Sequence, residues 1–245
     1  MDRDKPMEVA VAIGTEPVTA LMAATALPTG VNEADIIGAL RREPLELVKC
    51  RTVDLHVPAT SEIVIEGYIA PHETKKEGPF GEYTGYRASG VHDWPVLNVT
   101  AITHRNDPIL TMSAMGVPVD DAAVIMPFTM GADVLEELRD VKQFPVDFVY
   151  LPPEGVSHIW VVSTKVPYQT YPKNLAMNVW ATKPGSVYAS VLVVVNDDVD
   201  ITDIGKIMWI LATRVHPVRD TSTEPHTLTS PLLPWPHPDE RARMD

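Results

Sequence analysis

The residues best suited to chemistry lie together in segment 77–86, EGPFGEYTGY. Its three glycines allow tight turns and a close approach to a ligand, and its proline fixes one φ angle, so the loop is able to hold side chains in place. Glu77 and Glu82 are five residues apart. If the loop folds back on itself their carboxyl groups share one pocket, where desolvation and mutual repulsion raise the pKa of one of them toward neutrality. The segment therefore predicts a proton donor, whereas composition alone favours a glycine-rich hairpin whose glutamates face water.

Two further acidic sites are weaker candidates. Glu33 opens a predicted helix, Glu33–Arg42, that Asn32 caps, and its carboxylate is explained first by the helix dipole and only secondly as a metal ligand. The acidic run 197–200 resembles a cation site, but we prefer to assign it to capping of a helix that starts near Ile201. None of the eight histidines forms an i,i+3 or i,i+4 pair, so no helical metal motif is present.

The elements that must position these residues indicate an α+β fold. Alternating apolar residues predict strands in the first half of the chain, and the second half mixes strands with helices. The predicted strands are Glu8–Gly14, the strand-like run Leu45–Val57, Glu62–Ala70, Val96–Arg105, Pro108–Met115, Asp147–Pro152, His158–Val166 and Val187–Val195. The last is apolar throughout and expected to be buried on both faces. The predicted helices of the second half are Met130–Val141 and Ile201–Arg214.

This pattern divides the chain into three parts. We predict a β-rich domain, antiparallel and split-barrel-like, over residues 1–130, which carries the EGPFGEYTGY loop. An α/β layer domain follows over residues 131–226, and residues 227–245 form a proline-rich extended tail.

Composition excludes several classes of function. The chain has 245 residues and a formal net charge of −13, which opposes binding to nucleic acid. No apolar stretch approaches the roughly 20 residues of a membrane span, and no secretory leader is recognisable, so we expect a cytoplasmic protein. The single cysteine, Cys50, is predicted to be a buried, inert thiol.

Several segments together resemble the UbiD family, the reversible decarboxylases that use prenylated FMN. The similarity extends from about Val9 to about Pro231, and the block at 77–86 is its most specific part. The other segments that carry it are 57–68 (VPATSEIVIEGY), 102–105 (ITHR), 193–200 (VVVNDDVD) and 212–214 (ATR) with Pro217.

The resemblance implies roles for three glutamates. Glu82 matches the family's acid/base, which protonates the carbon that CO2 leaves, and a raised pKa is what that role demands. Glu77 matches part of the Glu-Arg-Glu network that sets the protonation of Glu82. Glu33 matches the carboxylate ligand of the divalent metal, usually Mn2+, that holds the cofactor phosphate, and K+ is a further cation to consider. The implied substrate is an aromatic or α,β-unsaturated carboxylic acid, and the flavin-binding residues of this chain are not assigned.

The chain also departs from the family pattern. Family members are considerably longer, and the N-terminal region that supplies the network arginine and the Asn and His metal ligands has no counterpart here. Ala23 and Ala24 stand where hydroxyl residues are frequent, and Ser190 stands where a lysine is frequent. We therefore expect one subunit of a split decarboxylase, active only with a separately encoded N-terminal-type UbiD chain, in an oligomer. The alternative, which the loss of the lysine favours, is a non-catalytic assembly or regulatory subunit.

Overall fold

A computed structural model describes residues 4–25, 27, 30–87, 90–113, 116–224 and 228–234. The chain forms two compact units. Unit 1 comprises Met1–Phe80 and Ser89–Ser113, and unit 2 comprises Gly81–Ala88 and Ala114–Asp245. The short segment 81–88, which contains Glu82, therefore belongs to unit 2, although the chain on both sides of it belongs to unit 1.

Unit 1 is built on an antiparallel sheet of three strands in the order β1-β4-β5. A second, smaller antiparallel pair consists of β2 and β3. The elements of unit 1 are β1 (Met7–Ile13), α1 (Pro17–Ala23), α2 (Glu33–Arg41), β2 (Leu47–Lys49), β3 (His56–Pro58), β4 (Ile63–Glu77) and β5 (His92–His104). Gly67 is required where β4 and β5 change register, because a Cβ atom at this position would overlap the Asn98 carbonyl.

The core of unit 1 is small and lies beneath this sheet. Its buried members are Cys50, Val53, Val57 and Val64, and Ala10 and Ala12 of β1 pack against them. The two alanines are two residues apart and so project from the same face of the strand. Cys50 is a free, buried thiol, and burial raises its pKa, as expected for an inert residue.

Unit 2 has a mixed sheet in the order β6-β7-β8, with β6 antiparallel and β8 parallel to β7. The middle strand β7 is almost completely buried. Helix α3 packs on one side, where Val134 and Leu138 share a core cluster with Val149 and Trp160. The elements are α3 (Asp121–Glu136, continued by a π-helical turn over Glu137–Val141), β6 (Val146–Tyr150), β7 (Ile159–Thr164), α4 (Tyr171–Trp180), α5 (Lys183–Tyr188), β8 (Val191–Asn196) and α6 (Ile204–Arg214).

The predicted α+β class is confirmed: within the described part of the chain, helices accompany two antiparallel sheets and one mixed sheet. Asn32 caps α2 as predicted, because its side chain accepts a hydrogen bond from the Ala34 amide at 3.0 Å. None of the helices within the described ranges has the length and apolar character needed to cross a membrane.

Four local predictions were wrong. Residues 108–113 of the predicted strand Pro108–Met115 form no strand and are exposed. An alternating pattern does not form a strand without a neighbouring strand to pair with. Met115 lies outside the described residues. Strand β8 begins only at Val191 and is partly exposed, since it lies at the edge of its sheet.

Helix α3 starts at Asp121, well before the predicted Met130. Asp120 caps it, because its side chain accepts a hydrogen bond from the Ala123 amide at 2.8 Å. The α6 cap is Asp203, outside the run 197–200.

Part of the proline-rich tail is packed within unit 2, to which it belongs. Thr229, Ser230 and Leu233 are buried. Residues 227 and 235–245 of the tail lie outside the described residues.

Candidate active site

Glu82 lies in a tight loop that closes on itself between Gly81 and Arg87, where an isolated antiparallel bridge joins the two ends. The Glu82 amide donates to the Tyr86 carbonyl at 2.9 Å, and the Gly85 amide donates to the Glu82 carbonyl, also at 2.9 Å. Gly85 has a φ of +76°, a left-handed conformation that a side chain would oppose. Because both ends of this turn are hydrogen-bonded, the backbone that carries the half-buried Glu82 side chain is well defined.

Two other side chains of this loop bind to elements of unit 2. The Tyr83 hydroxyl lies 2.7 Å from Nε2 of His158, and the two rings stack at a centroid distance of 5.9 Å with 17° between their planes. Ser230 acts to lower the pKa of the Tyr83 phenol, but burial is the larger effect and raises it. The Thr84 hydroxyl donates to the Leu232 carbonyl at 3.4 Å.

The hydrogen bonds of His158 define its protonation. Nδ1 lies 3.1 Å from the Tyr188 carbonyl, which only accepts, so Nδ1 carries the proton and Nε2 accepts from the Tyr83 hydroxyl. The Ser190 hydroxyl lies 3.3 Å from the same Nδ1. Burial lowers the pKa of His158 and raises the pKa of Tyr83. Both groups are therefore neutral near pH 7.

Glu77 is the last residue of β4 and is exposed, and its register partner is His92 in β5. It belongs to unit 1, whereas Glu82 belongs to unit 2. The prediction that the two carboxyl groups share one pocket stays a prediction.

Glu33 is the first residue of α2, and its side chain is exposed. No group of three or more His, Cys, Asp or Glu side chains within the described ranges is arranged to hold a metal ion. Mn2+ prefers carboxylate, carbonyl and water oxygens, and one exposed carboxylate supplies only a single ligand. The described residues of this chain therefore do not form a complete metal site by themselves.

The contact of Tyr83 with His158 was not predicted from the sequence. The two residues are 75 positions apart. Tyr83 lies in the motif block, but His158 looked like one of several isolated histidines, because a pairing over such a distance leaves no local pattern. Only the folded chain brings them together.

Two domain models of one carboxy-lyase match the sequence of this chain. The family model described as the 3-octaprenyl-4-hydroxybenzoate carboxy-lyase Rift-related domain matches residues 1–118. The model of the C-terminal domain of the same carboxy-lyase matches residues 123–244. Together the two matches include almost the whole sequence. The chain belongs to the UbiD family.

Solved structures agree with this assignment. Vanillic acid decarboxylase of Sedimentibacter hydroxybenzoicus (ShVdcCD), in its open form, is 33% identical, with a TM-score of 0.85 over 97% of this chain and 50% of that one. HmfF of Pelotomaculum thermopropionicum, a UbiD-class enzyme in complex with FMN, is 35% identical. The TM-score is 0.77, and the match covers 87% of this chain and 46% of the HmfF chain. Apo 3,4-dihydroxybenzoic acid decarboxylase (AroY) of Klebsiella pneumoniae is 27% identical. The TM-score is 0.74, and the match covers 87% of this chain and 46% of the AroY chain. This chain thus spans about half the length of these proteins.

Proposed function

We propose that this chain is one subunit of a split UbiD-type decarboxylase that acts on an aromatic or α,β-unsaturated carboxylic acid with prenylated FMN. The observation that carries the proposal is the family match: two domain models of the UbiD carboxy-lyase match residues 1–118 and 123–244. A second chain that corresponds to the unmatched half of the solved relatives would complete the protein. The Sedimentibacter enzyme supports an association of two different chains, because it is a two-subunit decarboxylase. One of its structures contains a truncated form of the subunit ShVdcD.

Glu82 is the proposed proton donor. When CO2 leaves, the bond between the substrate carbon and its carboxylate carbon breaks, and the electron pair stays with the substrate. Glu82 gives its carboxyl proton to that carbon and becomes a carboxylate, which takes a proton back from solvent. The hydrogen-bonded turn around Glu82 supports this role, because a proton donor must be held at a defined position.

Glu77 and Glu33 have supporting roles in this proposal. Glu77 sets the protonation of Glu82 through an arginine of the partner chain. Glu33 supplies one carboxylate to Mn2+, and the partner supplies the other ligands, which agrees with the incomplete donor set of the described residues.

The cofactor is inferred from the relatives. One HmfF structure contains FMN and another contains prenylated FMN. Prenylated FMN, when bound, supplies the electron sink for the departure of CO2. The protein orients the acid, keeps water out and delivers one proton.

Exposed apolar side chains support the need for a partner. In unit 1, Ile109, Leu110 and Met112 of the segment after β5 are 68%, 59% and 77% exposed. In unit 2, Val117 and Phe128 are 73% and 70% exposed. Large exposed apolar side chains in such groups are typical of surfaces that are covered in an assembly.

Co-expression of this chain with the products of neighbouring genes tests the proposal. We expect native mass spectrometry of the purified material to show a second, different chain, and its absorption spectrum to show bound flavin. A homo-oligomer without flavin, even when all neighbouring products are present, would contradict the split decarboxylase and favour an assembly or regulatory subunit.

A further inference from the structure

The loop that carries Glu82 is attached to unit 2 mainly through one side chain. Tyr83 follows Glu82 directly, and its hydroxyl donates to Nε2 of His158. Loss of this partner would leave a half-buried hydroxyl without its hydrogen bond, which is unfavourable. Arg87, at the far end of the loop, is exposed.

His158 is a rigid point of attachment. It is 9% exposed and directly precedes β7, the buried middle strand of the sheet of unit 2. Its Nδ1 is bonded to the Tyr188 carbonyl at the end of α5, and its ring packs against that of Tyr188 at 5.8 Å between centroids. The imidazole therefore has one orientation and one tautomer, and Nε2 is aimed at Tyr83.

We infer that Tyr83 and His158 are positioning residues for Glu82: the hydrogen bond between them holds the loop of residues 81–87 on the sheet of unit 2, and so places the Glu82 carboxyl group. Neither residue is assigned to touch the substrate. The inference rests on the proposed role of Glu82, but the attachment of the loop can be measured separately from turnover.

The informative variants are Tyr83→Phe, which removes the hydroxyl and keeps the ring, and His158→Phe, which keeps a flat ring without an acceptor. His158→Gln is the conservative variant, because its side-chain oxygen offers an acceptor near the position of Nε2. Tyr171→Phe is the matched control. It removes a buried phenol hydroxyl of the same unit, 3.2 Å from the Thr164 hydroxyl, and leaves the loop untouched.

The first measurement is hydrogen exchange of the Glu82 and Gly85 amides, both of which are hydrogen-bonded in the turn. It is made on the full chain, alone and in its purified assembly. We expect about tenfold faster exchange in Tyr83→Phe and His158→Phe, the factor that corresponds to the loss of one hydrogen bond. His158→Gln and Tyr171→Phe should exchange like the unmodified chain.

The second measurement is steady-state kinetics of the active assembly. A misplaced donor lowers kcat by about ten- to a hundredfold and changes KM little, because the substrate still binds. We expect this in Tyr83→Phe and His158→Phe, with kcat restored in His158→Gln. Equal thermal stability of Tyr83→Phe and Tyr171→Phe would show that the loss of kcat is not a general loss of folding.

The experiments distinguish a failure of this inference from a failure of the proposed role of Glu82. Unchanged amide exchange in both Tyr83→Phe and His158→Phe would overturn the inference, and so would faster exchange without any loss of kcat. If Glu82→Gln itself has full turnover, the proposed function fails, and the exchange data still decide whether Tyr83 and His158 hold the loop.

Discussion

At the scale of single residues, Glu82 combines a defined backbone with a half-buried side chain. The turn fixes the backbone through two hydrogen bonds of 2.9 Å, and the neighbouring Tyr83 and Thr84 side chains are both bonded to other parts of unit 2. Such an arrangement suits a group that must deliver a proton to one atom of a bound molecule. By contrast, Glu33 and Glu77 are exposed at the ends of elements.

The replacement Glu82→Gln tests the proton donor. Glutamine keeps the size and shape of the side chain but cannot give up a proton near neutral pH. We expect kcat of the active assembly to fall by about 10²–10⁴-fold, the usual contribution of general acid catalysis. Flavin content, measured by absorption, should stay the same.

Glu154→Gln is the matched control for this experiment. Glu154 is an exposed glutamate of the same unit, in the short turn Pro153–Gly155, and the same exchange of groups there should leave turnover unchanged. Full turnover of Glu82→Gln would rule out its role as the donor.

Replacement of Glu33 tests the metal site. In Glu33→Gln the proposed ligand, a charged carboxylate, becomes a neutral amide, which binds Mn2+ less well. We expect the manganese content of the assembly, measured by elemental analysis, to fall several-fold. Asp35→Asn, an exposed carboxylate in the same first helical turn, is the control and should retain its metal. Equal metal content in the two variants would contradict a ligand role for Glu33.

At the scale of elements, Glu66 shows how β4 holds the segment that precedes β3. Glu66 is 1% exposed, and its carboxylate accepts from the Arg51 amide at 2.9 Å and from the Thr52 amide and hydroxyl at 2.6 and 2.7 Å. These hydrogen bonds, led by that of the Arg51 amide, lower its pKa from 4.5 despite burial. The buried charge therefore has a structural role and was not among the candidate site residues.

The variant Glu66→Gln should unfold more readily, by about 2 kcal/mol near pH 7, because an amide group cannot accept all of these hydrogen bonds. The folded-state pKa lies below the unfolded one, so the stabilising effect is complete above pH 4.5 and disappears as the pH falls through the folded-state pKa. Denaturant unfolding at several pH values should show the difference between variant and unmodified chain shrinking in acid.

Glu73→Gln is the control on the same strand. Glu73 accepts a side-chain hydrogen bond from Asn98 at 2.7 Å, and among the described residues no backbone amide donates to it. Its effect on the free energy of unfolding should be smaller than that of Glu66→Gln at every pH. An equal decrease in the free energy of unfolding in both variants would mean that the backbone hydrogen bonds of Glu66 add no more stability than the single side-chain hydrogen bond of Glu73.

At the scale of the whole molecule, the exposed apolar residues of both units lead to a prediction about assembly. A polarity-sensitive dye should bind the isolated chain, and its fluorescence should drop when the proposed partner chain is added, because in the proposed complex the partner covers apolar surface. The same mixture should show a rise in melting temperature that depends on partner concentration. Unchanged dye binding in a complex that has demonstrably formed would show that these residues lie outside the interface.

The sequence by itself determined the α+β class, the cap of α2 by Asn32 and the family, because these depend on local patterns: alternation, a capping residue and a motif of ten consecutive residues. The sequence was a poorer guide where the structure of a segment depends on the strand or helix that it packs against. The run 108–113 has a strand-like alternation but pairs with no strand of the described part of the chain. Strand β8 is apolar but lies at a sheet edge.

Only the tertiary structure decided that the loop of Glu82 belongs to unit 2 while Glu77 belongs to unit 1. It also decided that His158 meets Tyr83 and that Glu66 is buried. The physical reason is the same in each case. Hydrogen bonds and burial between residues far apart in the chain depend on how the sheets and helices pack, and no short stretch of sequence contains that information.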